Sequence, residues 1–399
     1  MPKILQINSC ANWGSTGKIA EQINQVAAAQ GWDTYFAYGR DVNPSQSKLI
    51  HVGNAFSQAL AVIEARLFDN DGLSNRFATR QLLKKIKQIN PDIIHLHNLH
   101  GYYINYKILF NYLNSTDIPI VWTLHDCWSF TGHCGHFVSV NCEKWKKECK
   151  YCPLKKRYPA SWIFDGSCRN YRLKQRLFSA NKNLHIVTVS EWLADLVRQS
   201  FLKKADIRVI NNGVDLKLFK PINTERKSKY RILGVSSIWT KSKGLYDFYQ
   251  LRELLDEKEY EIVLVGLSEV QMKELPNGVY GIERTNSVEE LVKLYSSADV
   301  FVNPTYGDTF PTTNLEAMAC GTPVVTYRTG GSPESVDVET GIIVEQGNLN
   351  GLANSVIEIC KKGKDGFKEA CRLRSVQYYK KEDRFLEYIE LFKNNFHLR

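Results

Sequence analysis

Short apolar runs, each followed by a turn and an amphipathic stretch, recur along this chain. KILQIN (3–8) precedes a helical pattern from about Gly17 to Ala29, with Ile19, Ala20, Ile23, Val26 and Ala27 on one stripe and Gly31 as a stop. DTYFAY (33–38), DIIHLHN (92–98), PIVWTLHD (119–126) and LHIVTVS (184–190) read as further strands. They are apolar nearly throughout, which suits a parallel sheet covered on both faces.

The texture changes at VINNGVDLKLFKP (209–221), a loop-rich stretch closed by proline and followed by polar INTERKSK. The alternation then restarts: YRILGVSS (230–237), a helix from Gly244, YEIVLVG (260–266), a helix near 287–297, DVFVNP (299–304), a helix from about Thr312, and PVVTY (323–327). Two βαβ-rich halves predict an α/β protein of two doubly wound, Rossmann-like domains, with ligands beyond the carboxyl ends of the strands. The expected domains are 1–208, with a Cys-rich insertion at 127–158, and 209–380, followed by a helix at 381–399. In that last segment Phe385, Tyr388, Ile389, Phe392 and Phe396 fall at helical spacing and need a surface to dock on.

Length and composition agree with this division. A chain of 399 residues is too long for one small core, and 43% hydrophobic with 24% charged residues is ordinary for a globular protein. No run approaches a membrane span, and MPKILQINSC has too short an apolar core for a signal peptide. A cytoplasmic chain with reduced cysteines is expected. The net charge of +10 fits an anionic partner without choosing one. Nucleic acid is not expected, because the basic residues are dispersed and no recognition motif appears.

NSCANWGSTGKIAEQI (8–23) looks like a nucleotide-triphosphate loop and fails the comparison. Asn12 stands where the first glycine belongs, and Ile19 where the magnesium-binding hydroxyl belongs. What remains is Gly14, Ser15 and Gly17 between a strand and a helix N-terminus, a place where backbone amides and the helix dipole favour an anion. A plain strand-to-helix turn is the alternative.

The tract NPTYGDTFPTTNLEAMACGTPVVTYRTGGSPE (303–334) places Asp308 seven residues before Glu316, with Pro311, Thr312 and Thr313 opening the helix between them. It resembles the signature of the retaining GT-B glycosyltransferases that carry a Glu–seven residues–Glu motif, the family 4-like group. INNGVDLKLFKP is similar to that family's linker, and TKSKG (240–244) to its lysine-glycine phosphate site. DNDGLSNRFATRQL, PDIIHLHNLHGYYIN and TLHDCWSFTGHC resemble a bacterial subgroup serving capsule, exopolysaccharide or colanic-acid assembly.

The resemblance implies two domains facing across a cleft, a C-terminal helix crossing back to the first, and metal-independent transfer from a UDP- or GDP-linked sugar with retention. By position, Glu316 would bind the ribose hydroxyls and Asp308 the donor sugar. Lys243 and amides near Phe310, Thr312 and Thr313 would meet the diphosphate. His125 would stand near the reacting centre, Gly14 and Gly17 would let the first loop approach the phosphates, and Arg284 is a candidate for the base edge. The acceptor would be a saccharide, free or polyprenyl-linked, met at the inner face of the cytoplasmic membrane. Three departures stand out: Asp308 is shorter than the family's Glu, Ile238 replaces its arginine, and Arg284, where a surface arginine is the alternative to a base contact, stands in place of a glycine. The first two leave a non-catalytic GT-B nucleotide-sugar-binding protein as the alternative.

Three further clusters carry candidate chemistry. Cys134, Cys142, Cys149 and Cys152 have spacing that suits a structural zinc stapling a loop with little core of its own; reduced thiols in an insertion are the alternative. The same tract is basic and aromatic (Lys144, Trp145, Lys146, Lys147, Lys150, Tyr151, then Lys155, Lys156, Arg157 and Tyr158), as a membrane-facing or merely solvated surface would be. Asn98, His100, Tyr102 and Tyr103 follow a strand and are candidates to line an acceptor pocket, whereas His95 and His97 suit satisfied core positions. Asp69 and Asp71 form an Asp-x-Asp read as a surface or acceptor-side loop rather than a chelate. No cofactor is expected to be required for catalysis.

Overall fold

The computed structural model describes residues 1–225 and 228–396. Two compact units divide the chain: Met1–Ile210 with the segment from Phe385 onward, and Asn211–Arg384.

The first unit is built on a seven-stranded parallel sheet. Its strands are β1 (Lys3–Asn8), β2 (Asp33–Tyr38), β3 (Lys48–His51), β4 (Ile93–Leu96), β5 (Ile120–Leu124), β6 (Leu184–Thr188) and β7 (Asp206–Val209), in the spatial order β3-β2-β1-β4-β5-β6-β7. Chain order therefore reverses between β1 and β4, where Ile4 pairs Ile93 and Ile7 pairs Leu96. Such a reversal opens a crevice at the carboxyl ends of the two strands. Helices α1 (Gly14–Ala29), α2 (Ala55–Phe68) and α3 (Arg76–Ile89) connect the first four strands. The helix Lys381–Phe396 returns to this unit, burying Phe385, Tyr388, Ile389, Leu391 and Phe392 in one core with Ile4, Ile19, Ile23, Trp32, Ile93 and Val121. Its apolar stripe has the docking surface that the sequence required.

The second unit repeats the plan with six parallel strands: β8 (Tyr230–Val235), β9 (Tyr260–Val265), β10 (Val279–Ile282), β11 (Val300–Asn303), β12 (Val324–Tyr327) and β13 (Gly341–Val344). The order β10-β9-β8-β11-β12-β13 places its reversal between β8 and β11.

Four strands escaped the sequence reading: β3, β7, β10 and β13. They are the two edges of each sheet. An edge strand needs no apolar run on both faces, and KLIH and DIRV are largely exposed.

Candidate functional site

In the second unit the chemistry gathers at the reversal. The loop after β8 carries Lys243 and the loop after β11 carries Asp308. Tyr306 N–H donates to the Ser242 carbonyl at 2.8 Å, tying the two loops together. Lys243 Nζ then lies 2.7 Å from Asp308 Oδ2, with the side chains 37% and 20% exposed. Asp308 Oδ1 accepts from the Phe310 amide at 3.3 Å, and the Asp308 carbonyl accepts from Gly331 N–H at 3.0 Å. Gly330 has φ +55°, and a Cβ there would collide with that carbonyl. The second glycine loop is thus pressed against Asp308, which only glycine allows.

The helix Thr312–Ala319 opens with Pro311 as N-cap and no side-chain cap, leaving first-turn amides beside half-buried Thr312 and Thr313. Glu316 lies in its second turn. Its Oε2 accepts from the hydroxyl of fully buried Tyr295 at 2.9 Å, and burial followed by the Glu316 charge pushes the Tyr295 phenol well above 10. Tyr295 therefore acts as a fixed donor that orients the carboxylate, a role that nothing in the sequence announced. The Phe310 ring is buried and packs against Tyr379 at 5.8 Å, and its carbonyl accepts from Asn212, which fixes the backbone whose amide faces Asp308. Arg284 is exposed in the loop after edge strand β10, two strands from β8, and no described contact joins it to Lys243 or Asp308.

In the first unit the reversal between β1 and β4 carries a buried polar chain. The Gln6 amide donates to the Ala20 carbonyl and to Asn24 Oδ1, so its Oε1 must be the atom facing His97 Nε2 at 2.6 Å. That makes His97 Nε2 a donor and Nδ1 an acceptor, and His125 Nε2 donates to it at 3.0 Å. His125 consequently presents Nδ1 as its acceptor nitrogen. Burial holds His125 neutral, down to about 4, and pushes His97 well below 6.5. His97 therefore does more than fill the core: it fixes the tautomer of His125.

Of the four acceptor candidates, Asn98 and His100 line a cavity of about 10 Å³ with His125 and Asp126. His100 is committed within it, Nε2 to Asp126 Oδ2 at 2.8 Å and Nδ1 to the Tyr158 hydroxyl at 3.1 Å. Burial lowers the His100 pKa, but the charge and hydrogen bond of Asp126 outweigh it and raise the value overall. Tyr103 is fully buried with its hydroxyl on the Asn98 carbonyl, and Tyr102 packs against Ala61 and Ala65 of α2. Neither lines that cavity. Their rings anchor the loop after β4 instead.

Helix α1 begins at Gly14 (φ +62°), three residues before the sequence suggested. Gly17 lies inside it, where a Cβ would stand 3.0 Å from the Cys10 carbonyl. This glycine admits its own loop to the helix. The Asp-x-Asp is likewise structural: Asp69 Oδ1 meets His133 Nδ1 at 2.6 Å, and Asp71 Oδ1 accepts from the amides of Gly101 and Tyr102.

The insertion has a core of its own, contrary to expectation: Trp145 is buried between Phe130 and Phe137 at 5.3 and 5.1 Å. Trp145 is therefore lost to any membrane face. Cys134, Cys142, Cys149 and Cys152 surround one cavity of about 10 Å³, and all ten cysteines are free. Among the described residues, however, no three His, Cys, Asp or Glu form a group able to hold a metal ion. His133 is taken by Asp69, and the Cys134 thiol beside Cys152 brings Cys152 down to about 7 against the opposing effect of burial.

Comparison with known proteins follows the same division. Residues 22–218 match the family model described as Glycosyltransferase Family 4, and residues 229–362 match that described as Glycosyl transferases group 1. A putative colanic acid biosynthesis glycosyl transferase of Escherichia coli K12 is 25% identical over 366 residues, spanning 86% of this chain and 87% of the relative. Among solved structures, sucrose-phosphate synthase from Thermosynechococcus elongatus matches with a TM-score of 0.73 at 18% identity, over 100% of both chains. HepE from Anabaena, solved in complex with UDP-glucose, matches with a TM-score of 0.65 at 16% identity, over 98% of this chain and 99% of that one.

Proposed function

We propose, for a chain that belongs to the GT-B-fold glycosyltransferases, that it moves a sugar from a nucleotide sugar to a saccharide acceptor in cell-surface polysaccharide assembly, with retention at the anomeric carbon. The observation that carries this reading is the Lys243–Asp308 pair at the reversal of the second sheet, with Glu316 held by Tyr295 on the adjoining helix.

Each residue has a part in the proposed reaction. Lys243 has three N–H donors and spends one on Asp308, so it can meet a carboxylate and a diphosphate together. The uncapped first-turn amides of Thr312 and Thr313 add partial positive charge where the leaving diphosphate gains negative charge. Lys243 and these amides do the work a divalent cation would otherwise do, so the reaction needs no metal. Glu316 accepts from the ribose hydroxyls and Asp308 from the donor sugar. His125, neutral and with Nδ1 as acceptor, supports a sugar hydroxyl rather than serving as a cation. The proton of the acceptor hydroxyl passes to the leaving phosphate.

The Escherichia coli relative supports a polysaccharide pathway, and the Anabaena structure supports UDP before GDP as the donor base. A polyprenyl-linked acceptor at the inner membrane face belongs to the same proposal. Calorimetry with UDP, GDP and ADP, with and without magnesium, is the test. Binding of one nucleotide, unchanged by magnesium, followed by an α-linked product from an α-linked donor, is the expected outcome. No binding of any nucleotide, or an inverted product, would overturn the reading.

A further inference from the structure

An exposed apolar surface of the first unit runs along helix α2 and the segment 162–164. Helix α2, AFSQALAVIEARLF, buries only Ala61 and Ala65. Phe56, Leu60 and Ile63, at i, i+4 and i+7, form a stripe on its outer side and are 73%, 45% and 52% exposed. An inward face of alanines and an outward face of large apolar residues is the reverse of an ordinary surface helix. The stripe continues beyond the helix. Trp162 and Phe164 N–H groups donate to the carbonyls of Arg66 and Leu67 at 2.7 and 3.1 Å, which holds the segment 162–164 along the end of α2. Trp162, Ile163 and Phe164 are 63%, 57% and 56% exposed, and Phe164 stacks on exposed Phe68 at 5.8 Å.

Charge says what covers this surface. Helix α3, RFATRQLLKKIKQI, carries five cations and no acid, and Arg76, Arg80, Lys84, Lys85 and Lys87 are all exposed. It adjoins the stripe directly: Leu60 of α2 and Phe77, Arg76 and Lys85 of α3 line one open cavity of about 420 Å³. On the other flank the Arg66 guanidinium lies 5.2 Å over the Trp162 ring, and Lys155 donates to the Ile163 carbonyl. A protruding apolar ridge bordered by cations matches an interface whose interior is apolar and whose headgroups are anionic. Glu64 is the single acid on α2, and it is occupied by the Ser74 hydroxyl at 2.8 Å.

We propose that α2, the segment 162–164 and α3 form the surface by which this protein docks on an anionic lipid bilayer. The ridge inserts below the headgroups and α3 lies against their phosphates. This deepens the polysaccharide reading by naming the place of membrane contact, and it replaces the tract around Trp145. Vesicle binding and nucleotide binding are measured separately, so either proposal can fail alone.

The test is co-sedimentation of the full chain with vesicles of phosphatidylglycerol and phosphatidylcholine, against vesicles of phosphatidylcholine only. The wild type is expected to bind the anionic vesicles and to be released by high salt. Trp162→Ser with Phe164→Ser is expected to lower binding about tenfold or more, as is Arg80→Glu with Lys84→Glu. All four positions are exposed, and unchanged thermal unfolding would verify that the variants fold. Equal binding to both vesicle types, or variants that bind like the wild type, would overturn the proposal. So would a wild-type dimer that becomes monomeric in the Trp162→Ser, Phe164→Ser variant, because a second copy of the chain would then cover the ridge.

Discussion

The Tyr295–Glu316 contact allows the donor site to be tested without confusing binding with folding. Glu316 Oε2 accepts from a phenol with no exposure to water, at 2.9 Å. Removing the carboxylate with Glu316→Ala therefore does two things. It strands a buried hydroxyl, at a stability cost of about 1–3 kcal/mol, and on the proposed reading it removes the acceptor for the ribose hydroxyls, where a charge-assisted hydrogen bond contributes about 1.5–3 kcal/mol. Glu316→Gln separates the two effects, because the amide oxygen still accepts from Tyr295. Its unfolding midpoint in urea should stay near that of the wild type, while the Kd for the cognate nucleotide rises roughly 10- to 100-fold. Tyr295→Phe should do the reverse: a loss of about 0.5–1.5 kcal/mol in stability and only a few-fold change in Kd. The double variant Tyr295→Phe, Glu316→Ala should be more stable than Glu316→Ala, since no buried hydroxyl is left unpaired. Urea unfolding and calorimetry on the four proteins complete the cycle. Nucleotide binding by Glu316→Gln equal to wild type would refute the assignment of Glu316 to the ribose.

Three further outcomes are expected. Lys243→Ala should lower kcat by about 10²- to 10³-fold while changing stability by less than about 1 kcal/mol, because its ion pair is partly exposed; a kcat within threefold of wild type would remove Lys243 from the chemistry. Burial holds His95 down to about 3, His125 down to about 4 and His97 well below 6.5, so the unfolded chain binds more protons below pH 6.5. Stability should therefore fall as the pH drops from 6.5 towards 4, by about 1.4 kcal/mol per pH unit for each such histidine. His100 and His133 are raised and act oppositely, giving stability in acid that is lost as the pH rises through their folded values. They are the minority, and a urea midpoint at pH 5 equal to or above that at pH 7 would contradict the balance. Cys152, brought down to about 7 by the Cys134 thiol, should be alkylated by iodoacetamide at pH 7.5 ahead of buried Cys127 and Cys134, whose thiols are raised; peptide mass mapping that finds either of those modified first would refute this order.

What the sequence disclosed follows from how many physical constraints each residue carries. Central strands such as β1, β5 and β9 are covered on both faces, so their apolar runs are unbroken and easily read. Edge strands answer to one neighbour and were invisible. At the site, Asp308 and Glu316 stood out because a glycine loop, a helix start and a buried strand surround them within one short tract, whereas Lys243, 65 residues before Asp308, stood out through the TKSKG turn and its resemblance to a phosphate site. The residues that orient them had no such signal. Tyr295 is distant from Glu316 in sequence, and Gln6 and His97 reach His125 only because β1, β4 and β5 lie side by side. Residue type alone also could not show that Gly17 packs against the Cys10 carbonyl or that Tyr103 is buried with its hydroxyl on the Asn98 carbonyl.

The two sheet reversals make the chemistry on each unit different in kind. In the second, Lys243 and Asp308 are partly exposed and charged, held by loops whose backbone bonds to each other. Such a pair can exchange partners with a ligand at little cost, because water already screens it. In the first, Gln6, His97 and His125 form a chain, buried apart from the half-buried His125, with burial keeping both histidines neutral. Such a chain cannot rearrange cheaply, since any broken hydrogen bond would leave a buried polar atom unpaired. On the proposed reading, the second unit meets the diphosphate with groups that can exchange partners, and the first holds His125 neutral in one tautomer. A Gln6→Leu substitution tests this directly. Freed from the amide oxygen, His97 can shift its proton to Nδ1, which would remove the acceptor for His125 Nε2–H and leave that ring without its fixed tautomer. The expected result is a fall in kcat of tenfold or more, with nucleotide Kd unchanged. A fall in nucleotide affinity of the same size would mean that Gln6 acts through folding rather than through His125.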